Sequence, residues 1–432
     1  RIAIAGYGIE GEINYRYWSR ANANVVIIDE KAVPSRPLPS GARVLLGEGV
    51  FGKLDDYDLV VRTASLPPNA IQTNGKIWSA TNEFFAQCPA PIIGVTGTKG
   101  KGTIASLIAS MLRAGGETVH LVGNIGIPAL EVLPAISEGD IVVFELSSFQ
   151  LWDLERSPHV AVIGMIEADH LDIHADFDDY LRAKSAIRRF QTADDVCFYH
   201  PTNKWSARIA SGSVRGDRIR YGIQKDGGVY VHENTFCVQG EPICDVSALQ
   251  LPGEHNLDNA CAALSAARTF VLDEVALEQG LRDFKGLPHR LKFVREVDGV
   301  RYYDDSYSSA PGAAIAAMKA FAEPEIIILG GFDKKVDFHD FADFVARRNN
   351  LKKALLIGQT RQQLAEAFAS AGVAAEQIEM IDSTDFATIV QRAHGLSKPG
   401  DVVLLSPACA SFDMFKNFTE RGEQFIKLVE AL

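Results

Sequence analysis

Short apolar runs, each closed by a glycine-rich or acidic turn and followed by residues at helical spacing, recur along most of the chain. That alternation is the pattern of an α/β protein built on parallel sheets. It begins with a strand at 2–5, the turn Gly6-Tyr7-Gly8-Ile9-Glu10-Gly11, and a second strand at 25–28 that ends in Asp29. A further run at 59–61 completes a small doubly wound unit. Cys88-Pro89-Ala90-Pro91 interrupts the pattern, and a new cycle starts with a strand at 92–95, a glycine loop and a helix over 104–113. Ile141-Val142-Val143-Phe144 is apolar without alternation, as in a parallel strand buried on both faces. Gly286-Leu287-Pro288-His289-Arg290 is the second interruption, and beyond it the runs at 326–329, 354–357 and 402–405 each lead into a helix. The last helix, expected over 414–432, spaces Phe415, Phe418, Phe425 and Leu428 for one buried face. Three α/β domains are expected, over 1–89, 90–287 and 288–432.

The 432 residues, 47% of them apolar, exceed one ordinary core and suit two to four domains. No run nears the roughly 18 apolar residues of a membrane span, and the first residues lack the basic-then-apolar order of a secretory signal. A cytoplasmic protein without membrane insertion is expected. With 43 Lys plus Arg against 55 Asp plus Glu the net charge is −12, which disfavours nucleic-acid binding, since that needs clustered cations to displace counterions from phosphates. The six cysteines (Cys88, Cys197, Cys237, Cys244, Cys261 and Cys409) are scattered without a CxxC pair, as in reduced thiols packed as small apolar residues.

Chemistry concentrates where strands end. In Gly94-Val95-Thr96-Gly97-Thr98-Lys99-Gly100-Lys101-Gly102-Thr103, glycines free backbone N–H groups to face a polyphosphate, the following helix adds its dipole, and Lys101 brings a point charge. The strict G-x-x-x-x-G-K-[ST] spacing is not kept, and Gly102 stands where a hydroxyl is usual, so a tight structural turn is the plainer alternative. Glu145 closes the buried run at 141–144, at the carboxyl edge where open α/β sheets bind ligands; a solvated strand-end carboxylate is the bland reading. Glu167-Ala168-Asp169-His170-Leu171-Asp172-Ile173-His174 falls at the same edge after the run at 160–163. Acids with histidine suit a hard cation, although a charged loop capping the next helix fits equally. Read alone, the turn at 6–11 with Asp29 beyond it suggests dinucleotide binding, and hence a nicotinamide-dependent oxidoreductase.

These motifs do not stand alone. Gly97-Thr98-Lys99-Gly100-Lys101, Gly123-Asn124-Ile125-Gly126, Glu145-Leu146-Ser147-Ser148-Phe149-Gln150, Asp169-His170, the helix with Lys184, His255-Asn256-Leu257-Asp258-Asn259, Leu287-Pro288-His289-Arg290 and Leu405-Ser406-Pro407-Ala408-Cys409-Ala410-Ser411-Phe412-Asp413 occur in this order. With them the chain resembles the Mur ligase family over essentially its whole length, and is similar to the members that add D-glutamate to UDP-N-acetylmuramoyl-L-alanine. The resemblance implies Rossmann-like first and third domains around a central parallel sheet of the P-loop ATPase type, and an ATP-dependent ligase that works through an acyl phosphate in peptidoglycan precursor synthesis. It implies a monomer whose partners are UDP-N-acetylmuramoyl-L-alanine, D-glutamate and ATP, with two magnesium ions. Gly8, Ile9, Glu10 and Asp29 would bind the UDP part, and Asn124, Ser147 and Gln150 the remainder of that substrate. Gly97, Thr98, Lys99, Gly100, Lys101, Gly102 and Thr103 would cradle ATP, with Asn259 facing the adenine and Arg290 and Asp305 closing over the nucleotide. Glu145, with Thr103, would hold the first magnesium, and His170 and a carbamylated Lys184 the second, so that Lys101, Glu145, His170 and Lys184 carry catalysis. Ser309, Lys334, Ser411 and Phe418 would hold the glutamate.

The implied chemistry needs these residue types. A carboxylate is a poor electrophile; it must first attack a γ-phosphate, and the crowded negative oxygens approach each other only among cations. A lysine turned into a carbamate becomes an oxygen ligand where a plain lysine would repel the metal; taken alone, Lys184 among Arg182, Arg188 and Arg189 reads as a surface lysine. Three departures from the family pattern stand out. Gly102 lacks the hydroxyl, Tyr307 and Ser309 replace a lysine and a threonine, and Thr63-Ala64-Ser65-Leu66-Pro67-Pro68 replaces a Ser-Pro-Gly turn. They raise a third reading, a nucleotide-binding relative without activity, against which Glu145, His170 and Lys184 are all present.

Overall fold

The computed structural model describes residues 1–432 except 22, 23, 125, 126, 172, 213 and 214, so Ile125, Gly126 and Asp172 of the motifs above lie outside the described residues. The chain divides into two compact units, Arg1–Leu249 with His255–Phe284, and Gln250–Glu254 with Lys285–Leu432.

The first unit opens with a five-stranded parallel sheet of β1 (Ile2–Ala5), β2 (Val25–Asp29), β3 (Arg43–Leu46), β4 (Leu59–Arg62) and β5 (Lys76–Ser79), in the order β3-β2-β1-β4-β5. Ala3, Ile4 and Ala5 are fully buried, which is why β1 carries no polar alternation. Gly6 (φ +90°) turns the chain out of β1 into helix α1 (Ile9–Ser19). A Cβ on Gly11 would stand 2.1 Å from the Gly6 carbonyl oxygen, so only glycine lets that helix start so close to the strand.

A six-stranded parallel sheet follows: β6 (Ile92–Thr96), β7 (Val119–Gly123), β8 (Ile141–Glu145), β9 (Val160–Ile163), β10 (Val196–Tyr199) and β11 (Asp217–Arg220), ordered β11-β10-β9-β6-β8-β7. The chain order reverses around β6, so the loops after β6, β8 and β9 converge at one edge, where such sheets bind ligands. A small antiparallel sheet of β12 (Tyr230–His232), β13 (Thr235–Val238) and β14 (Glu241–Asp245) follows.

One core spans both parallel sheets of this unit: Ile4, Ile13 and Trp18 belong to the same buried cluster as Phe84, Phe85, Phe144 and Leu151. Arg62, at the end of β4, is completely buried there. Its guanidinium pairs with Asp153 at 2.5 Å and donates to the carbonyls of Thr63, Ala64, Leu66 and Phe149, which satisfies a charge that would be costly to bury alone.

In the second unit β15 (Lys292–Val297) and β16 (Val300–Asp304) form an antiparallel hairpin. β17 (Glu325–Gly330), β18 (Leu351–Ile357), β19 (Ile378–Met380) and β20 (Val402–Leu405) extend it as a parallel sheet ordered β15-β16-β20-β17-β18-β19. Ile327 and Leu329 belong to one core and Ile326 and Ile328 to another, so consecutive isoleucines serve opposite faces. The final helix starts at Phe418, later than the sequence suggests. The Ser411 carbonyl accepts from Met414 and Phe415 N–H in a preceding turn, and the Asn417 side chain caps the helix by accepting from Glu420 N–H at 2.8 Å. No helix of the described residues is long and apolar enough to cross a membrane.

Candidate active site

The glycine loop expected to hold phosphates runs from β6 into helix α2 (Lys101–Ala114). Gly100 adopts φ +79°, and a Cβ there would lie 2.5 Å from Asn259 Oδ1 on helix α5, which covers Glu254–Ala267; helices α3 (Ser148–Leu151) and α4 (Phe177–Arg189) come between them in sequence. Asn259 therefore touches the loop it was expected to accompany, and its amide donates to Asn256 Oδ1 at 3.0 Å. Asn256, a second amide of the same motif to which no role was assigned, is itself buried. The Thr98 hydroxyl receives Glu167 N–H at 2.9 Å and lies 2.8 Å from the Tyr180 hydroxyl, which ties the loop to the segment after β9 and to α4. The Lys101 ammonium donates to the Thr98 carbonyl at 3.0 Å, while Lys99 pairs with Glu167 at 2.8 Å on the surface. Gly102 is buried within the first turn of α2, and Thr103 beside it is partly exposed.

Lys184 is buried, not a surface lysine. Its Nζ donates to the Gly97 carbonyl at 2.9 Å and to Thr96 Oγ1 at 3.2 Å, and lies 4.8 Å from the centre of the Tyr180 ring. Burial, reinforced by the nearby Lys101 charge, drives its pKa well below that of an ordinary lysine, against the opposing pull of Asp169 and Glu145. A lowered pKa favours the neutral amine, which is the nucleophilic form.

Glu145 ends β8 and is 5% exposed. Its carbonyl accepts from Asn124 N–H at 3.3 Å, after Gly123 (φ +102°) has turned the chain at the end of β7. His170 (φ +54°) lies on the surface, its Nε2 3.5 Å from Asp169, with its ring centroid 4.8 Å from that of Phe149. Among the described residues no three His, Cys, Asp or Glu converge as a metal cage. A buried carboxylate beside a phosphate loop nevertheless suits magnesium, which binds through one or two carboxylates plus substrate phosphates and water.

In the first sheet, Gly8 precedes α1 and Ile9 is exposed. Asp29 accepts from Tyr7 N–H at 2.7 Å and Lys31 N–H at 2.9 Å, so its carboxylate shapes the glycine turn. Glu10 accepts from Ala64 N–H at 2.8 Å and braces the unusual loop at 63–68; burial raises its pKa against that hydrogen bond and the Arg62 charge. Ser147 and Gln150 form a reciprocal capping box on α3, with the three-residue spacing such a box requires.

The second unit also places its expected residues at strand ends. Asp305 follows β16 and accepts from Ser406 Oγ at 2.7 Å and Leu291 N–H at 3.0 Å; burial lifts its pKa to about 7 despite those bonds. The Arg290 guanidinium lies 3.8 Å from the Tyr307 ring centroid, and the edge of that ring meets Phe418 at 5.1 Å. Tyr307 thus joins a residue expected at the nucleotide to one expected at the amino acid. Phe418 opens helix α6 (Phe418–Glu430) and is 37% exposed. Lys334 is exposed 5.9 Å from the Phe412 ring, Ser411 is buried, and Ser309 is exposed. Arg421, fully buried, donates to Ser306 Oγ, Ser306 O and Cys409 O and so locks two of these loops together. Nothing in the spacing of the sequence marks that arginine.

Residues 95–267 match the Mur ligase middle domain, and residues 289–409 match the Mur ligase glutamate ligase domain. A UDP-N-acetylmuramoylalanine--D-glutamate ligase from Clostridium kluyveri is 35% identical, with 100% of this chain and 97% of that protein aligned. The chain belongs to the Mur ligase family. The same enzyme of Clostridium botulinum is 31% identical over the same shares. Among solved structures, UDP-N-acetylmuramate-alanine ligase from Thermotoga maritima superposes with a TM-score of 0.62 at 15% identity, covering 100% of this chain and 99% of that one. The MurF ligase from the same organism, in complex with ADP, gives 0.60 at 18% identity over 99% and 95%. Both share the fold of this chain. Mur ligases use ATP, and the middle-domain match contains the glycine loop, Glu145, His170, Lys184 and Asn259. The glutamate-ligase match takes in Arg290, Asp305, Ser309 and Lys334, while Ser411 and Phe418 lie just past it.

Proposed function

We propose that this Mur ligase joins D-glutamate to UDP-N-acetylmuramoyl-L-alanine at the expense of ATP. The observation that carries the reading is Lys184, a buried amine with a depressed pKa bonded to the phosphate loop, in a chain whose full-length relatives are named for that reaction. The alternative oxidoreductase rests on the turn at 6–11 with Asp29 and leaves this lysine unexplained.

The substrate carboxylate attacks the γ-phosphorus of ATP, forming an acyl phosphate and releasing ADP. The amine of D-glutamate then attacks the acyl carbon, the tetrahedral intermediate collapses, phosphate leaves, and the amine loses a proton. Lys101 and the N–H groups of 97–103 hold the nucleotide phosphates. Two magnesium ions, when bound, neutralise the crowded phosphate and carboxylate oxygens. Glu145 with Thr103 would hold one, and His170 with carbamylated Lys184 the other. Gly8, Ile9, Glu10, Asp29, Asn124, Ser147 and Gln150 take the UDP-linked substrate. Asn259, Arg290 and Asp305 serve the nucleotide, and Ser309, Lys334, Ser411 and Phe418 the amino acid. These roles divide the chain into 1–89, 90–287 and 288–432, in a monomer acting in the cytoplasm, where ATP and UDP-linked precursors occur.

The test is ADP release with ATP, magnesium, UDP-N-acetylmuramoyl-L-alanine and a panel of amino acids in both enantiomers. Release that depends on D-glutamate supports the reading. Absence of release with D-glutamate, or binding of NADH in place of the UDP-linked substrate, overturns it.

A further inference from the structure

A buried relay crosses the three segments that carry Glu145, His170 and Lys184. Ser148 stands three residues after Glu145, His174 four after His170, and Asp179 five before Lys184. His174 Nδ1 lies 2.9 Å from Asp179 Oδ2, and its Nε2 lies 3.0 Å from Ser148 Oγ. Burial works against an ionised Asp179, but hydrogen bonds from His174, Trp152 and the Ala175 N–H outweigh it and hold the carboxyl below its usual range. An ionised Asp179 accepts from Nδ1–H, which leaves Nε2 to accept the Ser148 hydroxyl proton.

The distances are those of a nucleophile, base and acid. Ser148, however, is 2% exposed and its hydroxyl is spent on the imidazole, so it is not presented to a substrate carbonyl. The packing points to a mechanical role. The His174 ring stacks on Phe149 (5.5 Å, 9°), and Phe149 also meets the His170 ring at 4.8 Å, tilted by 55°. His174 N–H also donates to the His170 carbonyl at 2.9 Å. Tyr180 meets the His174 ring edge-on at 5.3 Å and is the ring that Lys184 Nζ approaches.

We infer that His174 is a positioning residue which, through Ser148 and Asp179, fixes the mutual geometry of Glu145, His170 and Lys184. This rests on the metal-binding roles proposed above for those three. Partners that orient metal-ligating side chains typically matter by about 10- to 100-fold in metal affinity or activity.

The experiment uses the full chain with His174→Phe, which keeps the ring and loses both hydrogen bonds, and Ser148→Ala, which removes one hydroxyl and answers the same question if the first variant does not fold. Mn2+ binding in the presence of ATP is followed by electron paramagnetic resonance, and the Lys184 carbamate by 13C NMR in 13C-bicarbonate. Both variants should keep their circular dichroism and, within about twofold, their KM for ATP, while the unfolding midpoint falls because a buried polar group loses its partner. Mn2+ binding should weaken, by about 10- to 100-fold for His174→Phe and less for Ser148→Ala, and the carbamate signal should shrink. Native Mn2+ affinity and a native carbamate signal in the variants would overturn the inference alone. Failure of the native protein to give either signal would overturn the metal and carbamate roles, and the inference with them.

Discussion

The Lys184 side-chain nitrogen and the Gly97 carbonyl oxygen stand 2.9 Å apart, so α4 is bonded directly to the glycine loop. A fixed carbonyl satisfies the amine in either charge state, whereas the nearby Lys101 favours the neutral one.

Lys184→Ala should lose most ligase activity and regain part of it with added formate or acetate, whose carboxylate can occupy the position of the carbamate. Lys184→Met should be inactive yet unfold at a higher temperature than the native chain at pH 7 in CO2-free buffer. The sign follows from the depressed pKa. Between that value and the ordinary value of about 10.4, the unfolded chain binds a proton that the folded chain gives up, so the contribution of Lys184 to stability rises with pH through this window and is least favourable below it. Full activity of the alanine variant would make the lysine dispensable.

Gly100→Ala should raise the KM for ATP by about tenfold or more. Its φ of +79° strains any L side chain, and the new Cβ would lie 2.5 Å from Asn259 Oδ1, so the loop and the amide must part. Steady-state kinetics with ATP varied, beside circular dichroism to show an intact fold, checks this; an unchanged KM would remove Asn259 from the nucleotide site.

Lys334→Ala should raise the KM for D-glutamate by about 10- to 100-fold, as expected for losing one charge-assisted contact to a carboxylate, and leave those for ATP and the UDP-linked substrate nearly unchanged. Equal effects on all three substrates would assign the lysine to folding instead.

Glu325 is completely buried at the start of β17, with no hydrogen bond to its carboxyl oxygens among the described residues and Arg348 at 3.6 Å. Burial, partly offset by Arg348, lifts its pKa to about 8. An acid whose folded pKa is raised contributes stability that is full below its unfolded value of about 4.3 and is lost as pH rises through the folded value. Glu325→Gln should therefore flatten the fall in unfolding temperature between about pH 5 and pH 9. Parallel pH curves for native and variant proteins would show that Glu325 does not titrate in that window.

Local sequence determined the elements that need only short-range information. The unbroken apolar runs at 141–144 and 326–329 mark strands buried on both faces, because each of their side chains meets a core whichever way it points. Glycines at 6, 100 and 123 mark turns because their φ values exclude other residues at little cost. Order and spacing of the motifs were enough to reach the family. The hairpin Lys292–Val297 with Val300–Asp304 has no clear signature in the sequence, since its first strand mixes exposed and buried positions without a dominant period.

What the tertiary structure alone decided is which side chains face one another across long separations. Lys184 reads as one more surface cation among arginines, and only its contact with Gly97, 87 positions away, makes it a buried amine. Arg62 finds Asp153, 91 positions on, and Arg421 finds Ser306, 115 positions back. No spacing rule encodes such partners, because burying a charge requires satisfying it with whatever groups the packed chain brings near.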